Sequence, residues 1–523
     1  MRGILASSIG VTCAAALALP LAPPAVASAE RPAPTADAAT RAAVNSSTSH
    51  VPEAPGSTQS LPLGPLTHDR ASGAVLGLAP RAVRNFSLLG VVWDDPSAAL
   101  HGRVQVRTRA ASTGEWSDWQ DVETHYTEHG ADPDSAEAAS GRVRGATAPL
   151  WVGESNGVEV RVRPETGGPE AGGAEAGGAE AGDPVGGAPE PDAEAGDVDP
   201  VDVGSGDAGS GAVGAGDTGA GEAGAGEAGA GGGDAPPLPA GMRLDLVDPG
   251  EAEPDEAAPS GSGAEAPRTG VMTAAAKAAS AANSDIVPLG ATEIPMLTAE
   301  ETRRELVTLR GSELTEQQQA DAHIGPRPSI VTRRGWGADE SLREKNFSYT
   351  SKVKAAFVHH TASGNGYSCS QAPSLIRGFY RYHTKSLGWR DIGYNFLVDK
   401  CGRIYEGRAG GVAKAVKGAH TLGFNSKTTG IAVIGSYGSK KPSSKAVKAV
   451  ARLAAWKLGL YGMNPKAKTT LTSGGGNLYA KGKKVKMKVI SGHRDGFNTS
   501  CPGGKLYKKL SSVRSKAAGY QGR

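Results

Sequence analysis

The stretch VKAAFVHHTA (residues 353–362) decides the fold. Beyond Lys354 it runs Ala355-Ala356-Phe357-Val358 without polar alternation and then meets two histidines. A short apolar run of this kind reads as a strand buried on both faces. TGIAVIGSY (429–437) reads the same way, and KVKMKVISGHRD (484–495) is a strand that delivers His493 at its end.

Helical spacing alternates with these strands. APSLIRGFYRYHTKSLGW (372–389) places Leu375, Ile376, Phe379, Tyr380 and His383 on one face and stops near Gly388. SSKAVKAVARLAAWKLGLYG (443–462) is amphipathic through Val447, Val450, Leu453, Ala454 and Leu458. DIGYNFLVDKCGRIYEGR (391–408) reads as a hairpin turning at Asp399-Lys400-Cys401-Gly402. No Rossmann or phosphate-loop glycine pattern is present, so the expectation is an α/β domain with a mixed sheet and flanking helices. It begins near Arg327.

Upstream, the 523 residues hold 74 glycines and 34 prolines, too many for the whole chain to pack. Residues 1–29 show Arg2, an apolar stretch and small residues ending at Ala25-Val26-Ala27-Ser28-Ala29, which reads as a secretory signal peptide. Residues 30–80, rich in Pro, Ala, Ser and Thr, are expected to be disordered. Strand signals follow in FSLLGVVWDD (86–95), GRVQVRTRAAS (102–112), EWSDWQDV (115–122), APLWVGES (148–155) and GVEVRVRPE (157–165). They suggest a small all-β, sandwich-like domain over 81–164. Residues 165–239 are low-complexity Gly/Ala/Glu and read as linker. GMRLDLVDPG (241–250) returns to strand alternation, either as the last strand of the same β domain or as an isolated fragment. A second linker is expected over 251–325, with one short helix opened by a Thr298…Glu301 capping box.

Charge divides the chain. From Arg327 onward 37 Lys and Arg face 7 Asp and Glu, leaving 19 against 47 for the remainder. So basic a segment seeks polyanions. For an exported chain these would be anionic wall polymers or membrane surfaces, unless the charge serves only solubility. Nucleic acid is not expected, because aromatic-basic recognition motifs are absent. No stretch is apolar enough for a transmembrane anchor.

Four cysteines sharpen the reading. Cys13 leaves with the signal peptide, and Cys369 and Cys401 are expected to pair outside the cytosol. Cys501, in SGHRDGFNTSCPGG (491–504), is left over, and a metal is the usual occupant of such a thiol. With His359 or His360 and with His493 it would make a zinc site of three protein ligands, its fourth position open. Each histidine taken singly could equally be a buried hydrogen-bonded side chain.

FVHHTA (357–362), YHTKSLGWRDIGYNFLVDKCGRIYEGR (382–408), GAHTLGFN (418–425) and SGHRDGFNTSCPGG together resemble the N-acetylmuramoyl-L-alanine amidases, a family that includes peptidoglycan recognition proteins and phage lysozyme-like amidases. The resemblance spans about 327–515. It implies a Zn2+ cofactor, peptidoglycan as substrate, and hydrolysis of the amide joining N-acetylmuramic acid to L-alanine. By position it implies His359, His493 and Cys501 as metal ligands and Tyr394 beside the scissile carbonyl. Thr499 stands where phage-type members carry lysine and the recognition branch commonly carries threonine. The glutamate that some branches use as base has no counterpart in Ala432, Val433 or Ile434. Arg494 and Asp495 would buttress the ligands or pair at the surface. Arg408 and His420 would line the substrate groove or serve structure. The alternative to the enzyme is a recognition protein of the same fold that binds without cleaving, a branch in which the cysteine is often lost. Localisation is expected to be secreted or cell-wall associated.

Overall fold

The computed structural model describes residues 56–69, 73–165 except 125 and 127, 236–251 and 272–523. The expected signal peptide with Cys13 lies outside them, as do residues 166–235 of the Gly/Ala/Glu-rich stretch and residues 252–271.

The N-terminal domain is eight strands in one hydrogen-bonded sheet: β1 (Ser57–Pro62), β2 (Gly64–Asp69), β3 (Gly73–Trp93), β4 (Gly102–Ala110), β5 (Gln120–Val122), β6 (Gly145–Ala146), β7 (Leu150–Pro164) and β8 (Arg243–Asp248). The order is β1-β8-β3-β7-β4-β5, with β2 and β6 also on β3. Register shifts mark bulges along β3 against β7, and bulges bend strands. Alternate side chains, including Val104, Val106, Val158, Val160, Leu244 and Leu246, close on one apolar core. Residues 240–250 therefore belong to this sheet, with β8 between β1 and β3. Trp116 and Trp119 stand apart from that core, against the guanidinium groups of Arg107 and Arg161.

Two expectations of disorder fail. Residues 57–69 and 73–80, placed in the disordered stretch 30–80, are strands. β1 pairs with β8 from Ser57↔Asp248 to Pro62↔Arg243. Residues 272–325, read as linker, fold onto the C-terminal domain. They form α1 (Ala274–Ala281), β9 (Glu293–Ile294), α2 (Ala299–Arg310) and α3 (Glu316–Ala320). β9 pairs with β10 (Ile330–Val331), Leu306 enters the core, and buried Asn283 donates to both oxygens of Glu406 at 2.9 and 3.1 Å. Distant partners supply hydrogen bonds and burial that the local sequence does not advertise. The Thr298–Glu301 capping box forms as read.

The C-terminal domain continues with β11 (Ala355–His360), β12 (Phe396–Val398), β13 (Ile404–Glu406), β14 (Thr428–Val433), β15 (Lys468–Thr472), β16 (Lys484–Lys488) and β17 (Ile490–Gly492), and its main sheet joins β9 and β10 to all of these but β15 and β16. Its order is β17-β11-β14-β12-β13-β10-β9, parallel from β17 through β12, while β15 and β16 form a separate antiparallel pair. The remaining helices are α4 (Ala372–Arg381), α5 (Ser444–Gly459), α6 (Gly504–Tyr507) and α7 (Leu510–Tyr520). α5 and α7 cover one face over Val358, Phe396 and Ile431. The other face carries Leu397, Ala432 and α4, in an apolar cluster shared with Leu88, Val92 and Val247 of the β domain. Both sheets lie in one unit, Ala54–Arg523. Gly90 permits this contact, since a Cβ there would sit 2.2 Å from the Tyr382 hydroxyl.

Cys369 and Cys401 are disulfide-bonded, tying the turn before α4 to the β12–β13 turn. Closing a loop of this length contributes about 3 kcal/mol through the unfolded chain.

Lys457 on α5 is buried and donates to the carbonyls of Val412 and Lys414, at 2.5 and 2.7 Å. Burial, reinforced by Arg310, pulls its pKa down to about 7. Between pH 7 and 10.5 the unfolded chain therefore binds a proton that the folded chain does not, and stability rises with pH across that window. Wild type is expected to gain on Lys457→Met by about 1.4 kcal/mol per pH unit in denaturant titrations. A pH-independent difference would refute this.

Candidate metal centre

The register of parallel strands builds the centre. Val358 on β11 stands opposite Gly492 on β17, so the next residues, His359 and His493, emerge side by side. Their rings lie 4.5 Å apart between centroids. The chain then turns through His493–Asp495 and returns Cys501 to the same place. The Asp495 carboxylate accepts from the Gly492 N–H at 2.9 Å and the Tyr507 hydroxyl at 2.5 Å, and the Arg494 guanidinium donates to the Ser500 carbonyl. Arg494 and Asp495 thus brace the loop that carries two of the three expected ligands. Cys501 Sγ lies 3.8 Å from His359 Nδ1.

His359 rather than His360 joins the cluster. The His360 imidazole turns to the Tyr437 N–H, while its backbone N–H points at Cys501 Sγ, at 3.5 Å. Hydrogen bonds assign the His359 tautomer. Thr428 Oγ1 donates to the Phe424 carbonyl at 2.5 Å and so accepts from His420 Nε2, which leaves His420 Nδ1 as an acceptor. His359 Nε2, 3.2 Å away, therefore donates to His420 and leaves the Nδ1 lone pair facing the cysteine. Of the two roles the sequence left open for His420, this contact is the structural one. His420 is fully buried behind His359, packed against Gly430, where a Cβ would sit 2.4 Å from its ring.

A fourth side chain, absent from the sequence reading, completes the cluster. His129, from the β5–β6 connection of the β domain, sets its ring edge-on 4.5 Å from His493 and tilted 5.4 Å from His359. Ligand atoms of His129, His359, His493 and Cys501 all lie within 4.8 Å of one another. A protein nitrogen therefore lies beside the three expected ligands, where the sequence leads one to expect an open position. Its only trace in sequence is a histidine in an acidic loop, far from the other ligands, with no motif spacing around it.

The donor set fits zinc. Tetrahedral zinc with bonds of about 2.0–2.3 Å spaces its donors at about 3.5 Å, so modest side-chain rotation closes the cluster. Both nitrogens of His129 are buried without a hydrogen-bond partner. Those of His493 also meet no partner of good geometry, although the nearby Glu128 carbonyl opposes the fall in its pKa. Burial, then the neighbouring imidazoles, holds His129, His359 and His493 well below the usual histidine range, hence neutral with lone pairs available. Burial also pushes the Cys501 thiol well up, so a nearby cation is what would favour its thiolate.

Tyr394 lies beside the cluster, its ring 5.6 Å from that of His359. It joins the apolar side of Leu397 rather than that of Phe396, because strand alternation begins only after it. His383 Nδ1 accepts from the Gly393 N–H, so Nε2 donates to the Tyr126 hydroxyl at 2.7 Å. Tyr126 lies 3.4 Å from the Tyr394 hydroxyl and donates to it, leaving the Tyr394 proton free to point elsewhere. Thr499 Oγ1 donates to Glu128 at 2.8 Å. Arg408 is buried and bidentate to Glu137, at 2.9 Å twice. Ala432, Val433 and Ile434 are buried and apolar as read.

Comparison with known proteins places both halves. The family described as N-acetylmuramoyl-L-alanine amidase matches residues 349–504, and the Rv3811 N-terminal galactose-binding domain-like family matches residues 39–191. Peptidoglycan-recognition protein SC2 of Drosophila simulans is 30% identical over 182 residues, 35% of this chain and 84% of that protein. Peptidoglycan-recognition protein 1 of Holotrichia diomphalia is 31% identical over 184 residues, covering 35% and 79%. The N-acetylmuramoyl-L-alanine amidase of Homo sapiens is 30% identical over 185 residues, covering 35% of this chain and 28% of that protein.

Proposed function

The chain belongs to the family of N-acetylmuramoyl-L-alanine amidases and peptidoglycan recognition proteins, and from that membership we propose a zinc-dependent hydrolase. It cuts the amide between N-acetylmuramic acid and L-alanine. The observation that carries the reading is the buried thiol of Cys501 set among histidine nitrogens, a donor set suited to zinc. Zinc, when held, polarises the amide carbonyl and acidifies a water enough for attack at neutral pH.

The chain's own residues do the rest. His359, His493 and Cys501 are the ligands, and His420 fixes the His359 tautomer from behind. Burial pushes the Tyr394 phenol up, so it keeps its proton. It donates a hydrogen bond to the carbonyl oxygen as negative charge develops there, without giving up the proton. Thr499 is the second hydroxyl near the reacting bond.

The surface suits an exported wall enzyme. Val485 and Met487 bury one face of β16 while Lys484, Lys486 and Lys488 point to solvent, a contact for anionic wall polymers. Among the described residues no helix is long and apolar enough to cross a membrane.

The test is peptide release from purified peptidoglycan, read by mass spectrometry. Because His129 crowds the site, it is run on wild type and on His129→Ala. Peptides with a new L-alanine amino terminus are expected, and their appearance should stop when a chelator removes zinc. Binding without release by both proteins would favour the recognition reading instead.

A further inference from the structure

We propose that the β domain holds this site shut, with His129 as a fourth metal ligand and the 126–137 segment lying where the wall substrate must enter. The inference rests on the hydrolytic reading and concerns its regulation.

Three observations converge on it. First, the chemistry of the cluster changes with His129. Three protein ligands leave a position for water or substrate, whereas four close the shell, as in structural zinc sites. His129 brings a nitrogen within 4.8 Å of the other ligand atoms, and nothing else engages its ring nitrogens.

Second, the same segment takes hold of the other groups assigned to the reaction. Tyr126 binds the Tyr394 hydroxyl, and Glu128 accepts the Thr499 hydroxyl proton that would otherwise face the reacting bond. Glu137 neutralises Arg408 with two parallel hydrogen bonds. The metal ligand and these three contacts come from one short connection, and each engages a different group of the site. His359 and His493 are fully buried, and Tyr394 and Cys501 are exposed by only 1 and 2%. A polymeric glycopeptide cannot reach the scissile position while the segment stays.

Third, the segment is built to dock and to leave. Four acids, Glu128, Asp132, Asp134 and Glu137, fall within ten residues and meet the basic domain. Asp132 accepts from the Gly423 and Asn425 backbone and pairs with Lys417 at 3.2 Å. No covalent bond joins the segment to the site, since Cys369 and Cys401 pair with each other. Withdrawal of one connection therefore opens the ligand shell, the phenol, the hydroxyl and the arginine together.

The test uses the full chain loaded with Co2+, whose visible absorption reports ligand number, and azide as a probe of any open position. The wild-type spectrum is expected to ignore azide. His129→Ala should respond to it and release peptides about tenfold faster or more, as expected when a closed population is converted to an open one. Glu137→Gln keeps all four ligands but loosens the segment, and should acquire a partial azide response. If His129→Ala does not fold, the wild-type titration decides alone: a wild-type spectrum that shifts with azide overturns the proposal. An azide response confined to the variants, with no peptide release from any protein, would sustain the closed shell and refute the hydrolytic reading. Release by wild type with an azide-sensitive spectrum would do the opposite.

Discussion

Cys501→Ser is expected to abolish zinc binding and, with it, peptide release. Removing even an outer partner of a ligand costs about 10–100-fold in affinity, so loss of a direct thiolate ligand should exceed the upper end of that range. The serine hydroxyl stays protonated at neutral pH and is a poor donor to zinc. The native sulfur, by contrast, lies 3.8 Å from His359 Nδ1 and receives the His360 N–H. Chelator competition measures the affinity, and peptide release in the His129→Ala background measures the chemistry. Unchanged zinc affinity would remove Cys501 from the ligand set. Circular dichroism guards against misreading an unfolded variant.

Tyr394→Phe should separate chemistry from metal binding. The phenylalanine keeps the ring against Leu397 and Ala432 but removes the proton aimed at the developing oxyanion. Loss of one such donor costs about 10²–10³-fold in turnover, or about 3 kcal/mol. Zinc content and the cobalt spectrum should stay as in the parent, because Tyr394 is not a ligand. Burial pushes its phenol above the usual tyrosine range, so the contribution should persist into alkaline solution. Single-turnover rates across pH, measured in the His129→Ala chain, test this. A variant that turns over at the parental rate, or loses its zinc, refutes the donor role.

Much of the site was legible because its signals are local. VKAAFVHH announces a buried strand by composition, and two parallel strands ending in histidine meet at one edge of a sheet. The cysteine count isolated Cys501 before any coordinates, and Cys369 and Cys401 do pair. For His420 the sequence left two roles open, because whether an imidazole lines a groove or braces a ligand depends on Gly430 and Thr428 behind it.

The sequence by itself determined the C-terminal fold class through periodicity, and cysteine counting with two histidine-ended strands isolated Cys501, His493 and one of His359 or His360; His359 and Tyr394 individually came from the family resemblance. Only the tertiary structure decided that 57–69, 73–80 and 272–325 are folded and that His129 completes the cluster. Their partners lie far away: Glu128 and Thr499 are 371 positions apart, Tyr126 and His383 257. Such contacts leave no period in the sequence. They exist because a shared apolar cluster packs the β domain onto α4, and that docking, not any local pattern, places the acidic loop and its histidine at the site.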